Sequence, residues 1–241
     1  MTQFDDIRPY HDSEVAAVIK RLINDDALIE TIVAFRFPKL PRWLRCFARP
    51  LVTRALRKQL SNVTTVLEVQ HICSRYLDQV IEKTSPTLTF SGLENLQRNN
   101  PYLFISNHRD IVMDPAFVNY ALYHNGFETV RIAIGDNLLQ KPFVSDLMRL
   151  NKSFIVKRSA SGVREKMAAY MSLSSYIHHS ISEGCPIWIA QREGRAKDGI
   201  DRTDPAIIKM LYMSQKKSKL SFSEYINRLN IVPVVISYEY N

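Results

Sequence analysis

Paired cysteines, glycine and long apolar runs are all scarce in this chain of 241 residues. Cys46, Cys73 and Cys185 stand alone, with no close pair and no metal-ligand spacing. Such a set gives neither a disulfide framework nor a zinc site, and it fits a reducing compartment. No uncharged apolar run approaches the ~20 residues needed to span a bilayer. The longest, such as residues 231–238, are strand-sized. The opening MTQFDDIRPYHDSEV is acidic where a secretory signal would be basic and then apolar. The expectation is a cytoplasmic protein, peripheral to the inner face of the membrane. Glycine numbers only seven, below the usual share of about 7%. Gly135, Gly184, Gly194 and Gly199 all lie in the second half, where tight turns are expected beside chemically loaded segments.

What is present describes a folded protein. An apolar fraction of 46% with 23% charged residues supplies a core and argues against disorder. The formal charge of +8 predicts attraction to polyanions: nucleic acid, anionic lipid or phosphorylated substrates. Two regions differ in pattern. Residues 1–84 read as helical, with Ser13 as a cap and Val15, Val18, Ile19, Leu22 and Ile23 on one face. Leu28, Ile32 and Phe35 extend the stripe after a break at Asn24-Asp25-Asp26, and a further helix is expected over residues 63–83. From residue 85 to 241, short β-rich runs alternate with helical patterns. That alternation predicts an α/β fold with a mixed, mostly parallel sheet flanked by helices. Strands are expected at residues 87–90, 102–106, 130–134, 153–157, 186–190 and 231–237. Helices are expected at 115–123, 142–150, 163–182 and 204–215. The chain stops soon after a strand-like run, and the expectation is that the natural protein continues.

One stretch, residues 35–58, has eight cations and no acidic residue, with Phe37, Leu40, Trp43, Leu44, Phe47 and Leu51 interleaved. Rings beside Arg and Lys suit a bilayer interface with anionic headgroups. A helical linker with solvated charges fits equally well.

Four segments carry chemistry. In Ser106-Asn107-His108-Arg109-Asp110-Ile111-Val112-Met113-Asp114, a histidine follows a strand and precedes a helix, with two carboxylates close by. A proton acceptor near neutral pH beside an orienting carboxylate is the chemistry of a general base. A capped strand-to-helix turn is the plain alternative. His108-Arg109-Asp110 also spells the start of a kinase catalytic loop, but Pro115 stands where that loop needs Asn, and no Gly-rich phosphate loop is present. The second segment, Phe154-Ile155-Val156-Lys157-Arg158, ends a strand on two cations able to hold a phosphate. In the third, Gln191-Arg192-Glu193-Gly194-Arg195-Ala196-Lys197, glycine permits close backbone approach and the cations offer donors to phosphate oxygens. The fourth, Ile231-Val232-Pro233-Val234-Val235-Ile236-Ser237-Tyr238-Glu239, reads as a buried strand, with Pro233 at its beginning or on an edge.

Taken in order, these segments resemble the four blocks of the glycerophospholipid acyltransferase family, which includes glycerol-3-phosphate and lysophosphatidate acyltransferases. His108 with Asp114, Phe154 to Arg158, Glu193-Gly194-Arg195, and Val232-Pro233-Val234 with Tyr238-Glu239 carry the likeness. Five residues rather than the family's four separate His108 from Asp114, so Asp110 is a rival orienting carboxylate. Arg195 and Lys197 flank the position where the family places its arginine, and either can meet the phosphate. The resemblance implies an acyltransferase moving a fatty acyl group from acyl-CoA or acyl carrier protein to a hydroxyl of lysophosphatidate or glycerol-3-phosphate. It implies His108 and Asp114 as the catalytic pair. Arg109, Lys157, Arg158, Arg192, Glu193, Gly194, Arg195 and Lys197 would form the substrate-binding set. No metal and no cofactor beyond the thioester is implied. The expected partners are the acyl donor, the glycerol-phosphate acceptor and an anionic membrane surface; no nucleic-acid motif is evident. Two competing readings are an acyltransferase for a phosphate-free lipid and a non-catalytic basic membrane-binding protein.

Overall fold

The computed structural model describes residues 3–85 and 87–238. Helices α1 (Asp12–Ile23), α2 (Asp26–Arg36), α3 (Arg45–Leu60) and α4 (Val66–Thr84) precede strand β1 (Leu103–Ser106). Then follow α5 (Met113–His124), β2 (Arg131–Gly135), α6 (Pro142–Leu150), β3 (Ser153–Val156) and α7 (Gly162–Ser182). The described chain ends with β4 (Ile187–Ala190), α8 (Pro205–Leu211), α9 (Phe222–Arg228) and β5 (Ile231–Val234).

Two compact units form. One takes the described residues of Met1–Ile7, Leu77–Leu138 and Ser153–Asn241; the other takes Arg8–Tyr76 and Leu139–Lys152. The first holds a five-stranded sheet in the order β3-β2-β4-β1-β5, with every pairing parallel. Parallel strands put all their carboxyl ends on one edge, where sites form in α/β folds. Alternation along the strands builds two apolar layers. Leu103 and Ile105 of β1 with Ile187 and Ile189 of β4 pack on Leu173, Tyr176 and Ile177 of α7. Phe104 and Trp188 face the opposite way, onto Val118 and Leu122 of α5. Burial on both faces explains why these strands read as continuous hydrophobic runs. Pro233 sits in edge strand β5, opposite Ile105, where its missing N–H costs only one side of the ladder.

The second unit is helical. Val15, Val18, Ile19, Leu22 and Ile23 of α1 are buried with Val63, Val66, Phe143 and Leu150. Asp25 accepts a hydrogen bond from the Leu28 N–H at 2.8 Å and starts α2 at the expected break.

Several expectations are corrected. Residues 87–90 form no strand; Phe90 packs on the Tyr120 ring instead, 5.9 Å between centroids. Ser13 lies inside α1, which His11 precedes as N-cap, with Glu14 reaching back to the His11 N–H at 2.8 Å. Phe35 faces solvent rather than extending the buried stripe. The helix expected over 204–215 is α8 followed by a short 3-10 turn, Met213–Gln215. Helix α9 was not foreseen, although Ser221 and Glu224 make a reciprocal capping box at its start. Val163, Met167 and Tyr170 of α7 are exposed, while Leu173, Ile177 and Ile181 are buried. A helix of 21 residues is about 30 Å long, whereas a four-residue strand spans roughly 13 Å, so the sheet covers only part of α7.

Candidate active site

The turn between β1 and α5 centres on Asp114. Its carboxylate is fully buried in the first turn of α5, where the helix dipole favours negative charge. Oδ2 lies 2.9 Å from His108 Nδ1 and accepts the N–H groups of Arg109 at 2.7 Å and Asp110 at 3.0 Å. Oδ1 accepts the Tyr238 hydroxyl at 2.7 Å. Burial alone would raise this carboxyl's pKa. The hydrogen bonds from His108, Tyr238 and the two backbone N–H groups outweigh it and hold the group below the ordinary value. Tyr238 moves the other way: burial and its bond to a carboxylate push its hydroxyl well up, so it stays a donor.

Asp110 does different work. Its Oδ1 accepts the N–H groups of Val112 and Met113 at 2.8 and 2.7 Å, which ties the turn that opens α5. Of the two carboxylates, Asp114 is the one in contact with His108. A carboxylate on Nδ1 fixes that nitrogen as the proton carrier and leaves Nε2 as the lone-pair nitrogen. The His108 ring meets the Trp188 indole edge-on, centroids 6.0 Å apart. Trp188 in turn donates to Ser106 Oγ at 3.0 Å.

Asn107 fastens the far side. Its Nδ2 donates to the Ile236 carbonyl at 2.9 Å and its Oδ1 accepts the Ile236 N–H at 2.8 Å. This side-chain bridge continues the β1–β5 pairing past the strands and carries the chain to Tyr238. Glu239 lies outside the described residues.

The loop after β4 closes on the same edge. Gln191 N–H donates to the Ser106 carbonyl and Ala196 N–H to the His108 carbonyl, both at 2.7 Å. The Glu193-Gly194-Arg195 stretch is therefore pinned one residue from the histidine's own backbone. Gly194 adopts φ +76°, a conformation that favours glycine. Arg158 Nε stands 3.9 Å from Glu193 Oε1. Its backbone N–H donates to Asp136 Oδ1 at 3.0 Å. Burial would raise the Asp136 pKa, but hydrogen bonds from Ser159, Arg158 and Asn137 hold it down.

The expected binding residues separate into groups. Arg158, Glu193, Gly194 and Arg195 lie on loops leaving the carboxyl edges of β3 and β4. Arg192 donates forward to the Arg195 carbonyl at 3.5 Å. Arg195 and Lys197 are exposed and make no ion pair among the described residues. Arg109 is engaged by Asp201, 2.9 Å away, and so anchors the loop before α8. Lys157 pairs with Asp6. It is engaged there rather than at the Arg158–Glu193 pair, and the 2.9 Å bond from the Arg158 N–H to the Val156 carbonyl turns the chain at this residue. Among the described residues no group of three or more His, Cys, Asp or Glu side chains could hold a metal ion. The sequence reading gives Trp188, Asp136 and Asp201 no role; Tyr238 is named there in the fourth segment of the resemblance, also without a role, and its place just past edge strand β5 is the signal that points to the site.

Residues 87–237 match the family model Acyltransferase, and the chain belongs to that family. A curated relative is the glycerol-3-phosphate acyltransferase of Pseudoalteromonas atlantica (strain T6c / ATCC BAA-1087), 29% identical over 145 residues. That stretch is 60% of this chain and 16% of the relative's length.

Proposed function

We propose that this chain transfers a fatty acyl group from a coenzyme A or carrier-protein thioester to a hydroxyl of glycerol-3-phosphate or lysophosphatidate. The observation that carries the reading is the His108–Asp114 pair at 2.9 Å on the carboxyl edge of a parallel sheet. In this mechanism Nδ1–H donates to Asp114 and Nε2 takes the proton of the acceptor hydroxyl as its oxygen attacks the thioester carbonyl. The tetrahedral intermediate collapses, the C–S bond breaks, and the imidazolium returns its proton to the departing thiolate. Asp114 stabilises the imidazolium throughout, which is the usual role of a carboxylate behind a catalytic histidine.

Arg158, Arg195 and Lys197 hold the acceptor phosphate, with Arg192 and Gly194 shaping the loop that presents them. Glu193 orients Arg158, as the 3.9 Å separation supports. Fixing the phosphate turns an encounter into a positioned attack. The name of the Pseudoalteromonas relative supports a glycerol-phosphate acceptor.

The test is a panel of radiolabelled acyl-CoA and acyl carrier protein donors against glycerol-3-phosphate, lysophosphatidate and a phosphate-free lipid alcohol. Transfer to a phosphorylated acceptor is expected. Acylation of the phosphate-free alcohol alone would overturn the acceptor assignment.

A further inference from the structure

The basic segment before and within α3 has a second apolar line that nothing in the helical unit covers. Ala48, Val52 and Leu56 face inward, onto Ile29 and Val33 of α2. One residue round the helix, Phe47 and Leu51 are 73% and 63% exposed, and Trp43 in the preceding 3-10 turn is 72% exposed. The three are spaced i, i+4, i+8, so they share one outward stripe. Contiguous exposed apolar side chains of this size mark an interaction surface.

Cations frame the stripe, and the folded structure distinguishes among them. Arg45 is paired with Glu30 at 3.8 Å, and Arg49 with Asp26. Arg36, Lys39, Arg42, Arg54 and Lys58 make no ion pair among the described residues. We infer that Trp43, Phe47 and Leu51, with the unpaired cations Arg42, Arg54 and Lys58, dock on an anionic lipid bilayer. Aromatic rings enter the boundary between headgroups and acyl chains while the cations meet lipid phosphates. The occupant is an anionic surface because every charge left unpaired around the stripe is positive. No described helix is long and apolar enough to cross a membrane, so the contact is at the interface.

The chain contains its own reporter. Of its two tryptophans, Trp188 is 2% exposed in the sheet core and Trp43 is in the stripe. Addition of phosphatidylcholine vesicles containing phosphatidylglycerol should shift the tryptophan emission to the blue and sediment the protein. Pure phosphatidylcholine vesicles should do much less. R42Q/R54Q/K58Q should lower partitioning into anionic vesicles roughly a hundredfold, at about fivefold per cation. F47S/L51S should weaken it while retaining the Trp43 signal. These side chains are exposed, so circular dichroism and melting temperature should hold in both variants. Unchanged vesicle binding in both would overturn the inference. So would light scattering that shows a dimer dissolved by F47S/L51S, which would make the stripe a contact between copies. The readout is independent of acyl transfer.

Discussion

Asp114 is the residue on which the site turns, and its hydrogen bonds make its consequences measurable. His108→Ala is expected to lower acyl transfer by roughly 100- to 10,000-fold, the range for a positioned general base. An unchanged rate with an unchanged circular dichroism spectrum would remove His108 from the mechanism. Asp114 has a depressed pKa, which carries a definite sign. Its contribution to stability is fully present above the unfolded carboxylate value of about 3.9 and is lost as pH falls through the lower native value. Tyr238→Phe deletes the hydroxyl that donates to Oδ1. The variant should lose about 2 kcal/mol at neutral pH, as befits a hydrogen bond to a buried charge. Its acid unfolding midpoint should move to higher pH, because the native pKa of Asp114 rises toward the unfolded one. Acid titration followed by circular dichroism checks this, and an unmoved midpoint would show that the bond contributes nothing.

At the scale of elements, the loop after β2 sets where Arg158 can go. Gly135 ends β2, and a Cβ there would come within 2.9 Å of Arg158 Cδ and also meet Asn137. That position is an ordinary strand end, so the glycine is needed for close approach rather than for its dihedral. Gly135→Ala should displace the Arg158 side chain from Glu193. The expected outcome is a several-fold higher KM for the phosphorylated acceptor with the donor KM held. Equal changes in both constants would indicate general damage to the sheet edge. Helix α7 shows the limit of periodicity at this scale. Its apolar spacing runs its full length, yet only the half that crosses the strands is buried.

Over the whole molecule, 32 basic against 24 acidic residues leave a net +8. Exposed Arg195 and Lys197 belong to that excess. If they receive a phosphorylated acceptor, its KM should rise several-fold from low to physiological salt. The screening length contracts from about 30 Å to about 8 Å over that range. A steady-state salt series that leaves the acceptor KM flat would take these two cations out of the binding step. Arg109 and Lys157 differ from them, since Asp201 and Asp6 already neutralise them.

What the residues determined by themselves is the local order of things. Short β-rich runs marked the five strands, and also residues 87–90, which form none; the run read as a buried strand over 231–237 is the half-exposed edge strand β5, which ends at Val234. The break at Asp25 and the turn at His108 were legible too, because such signals depend on side chains a few positions apart. Tertiary structure decided everything that joins distant stretches. It chose Asp114 over Asp110 by folding Asp110 into its own turn, and it brought Tyr238 across 124 positions to the same carboxylate. It split the cations of residues 35–58 into paired and unpaired by supplying Asp26 and Glu30 from α2. Spacing within a segment cannot encode these outcomes, since each depends on which other segment the sheet order and helix packing place beside it.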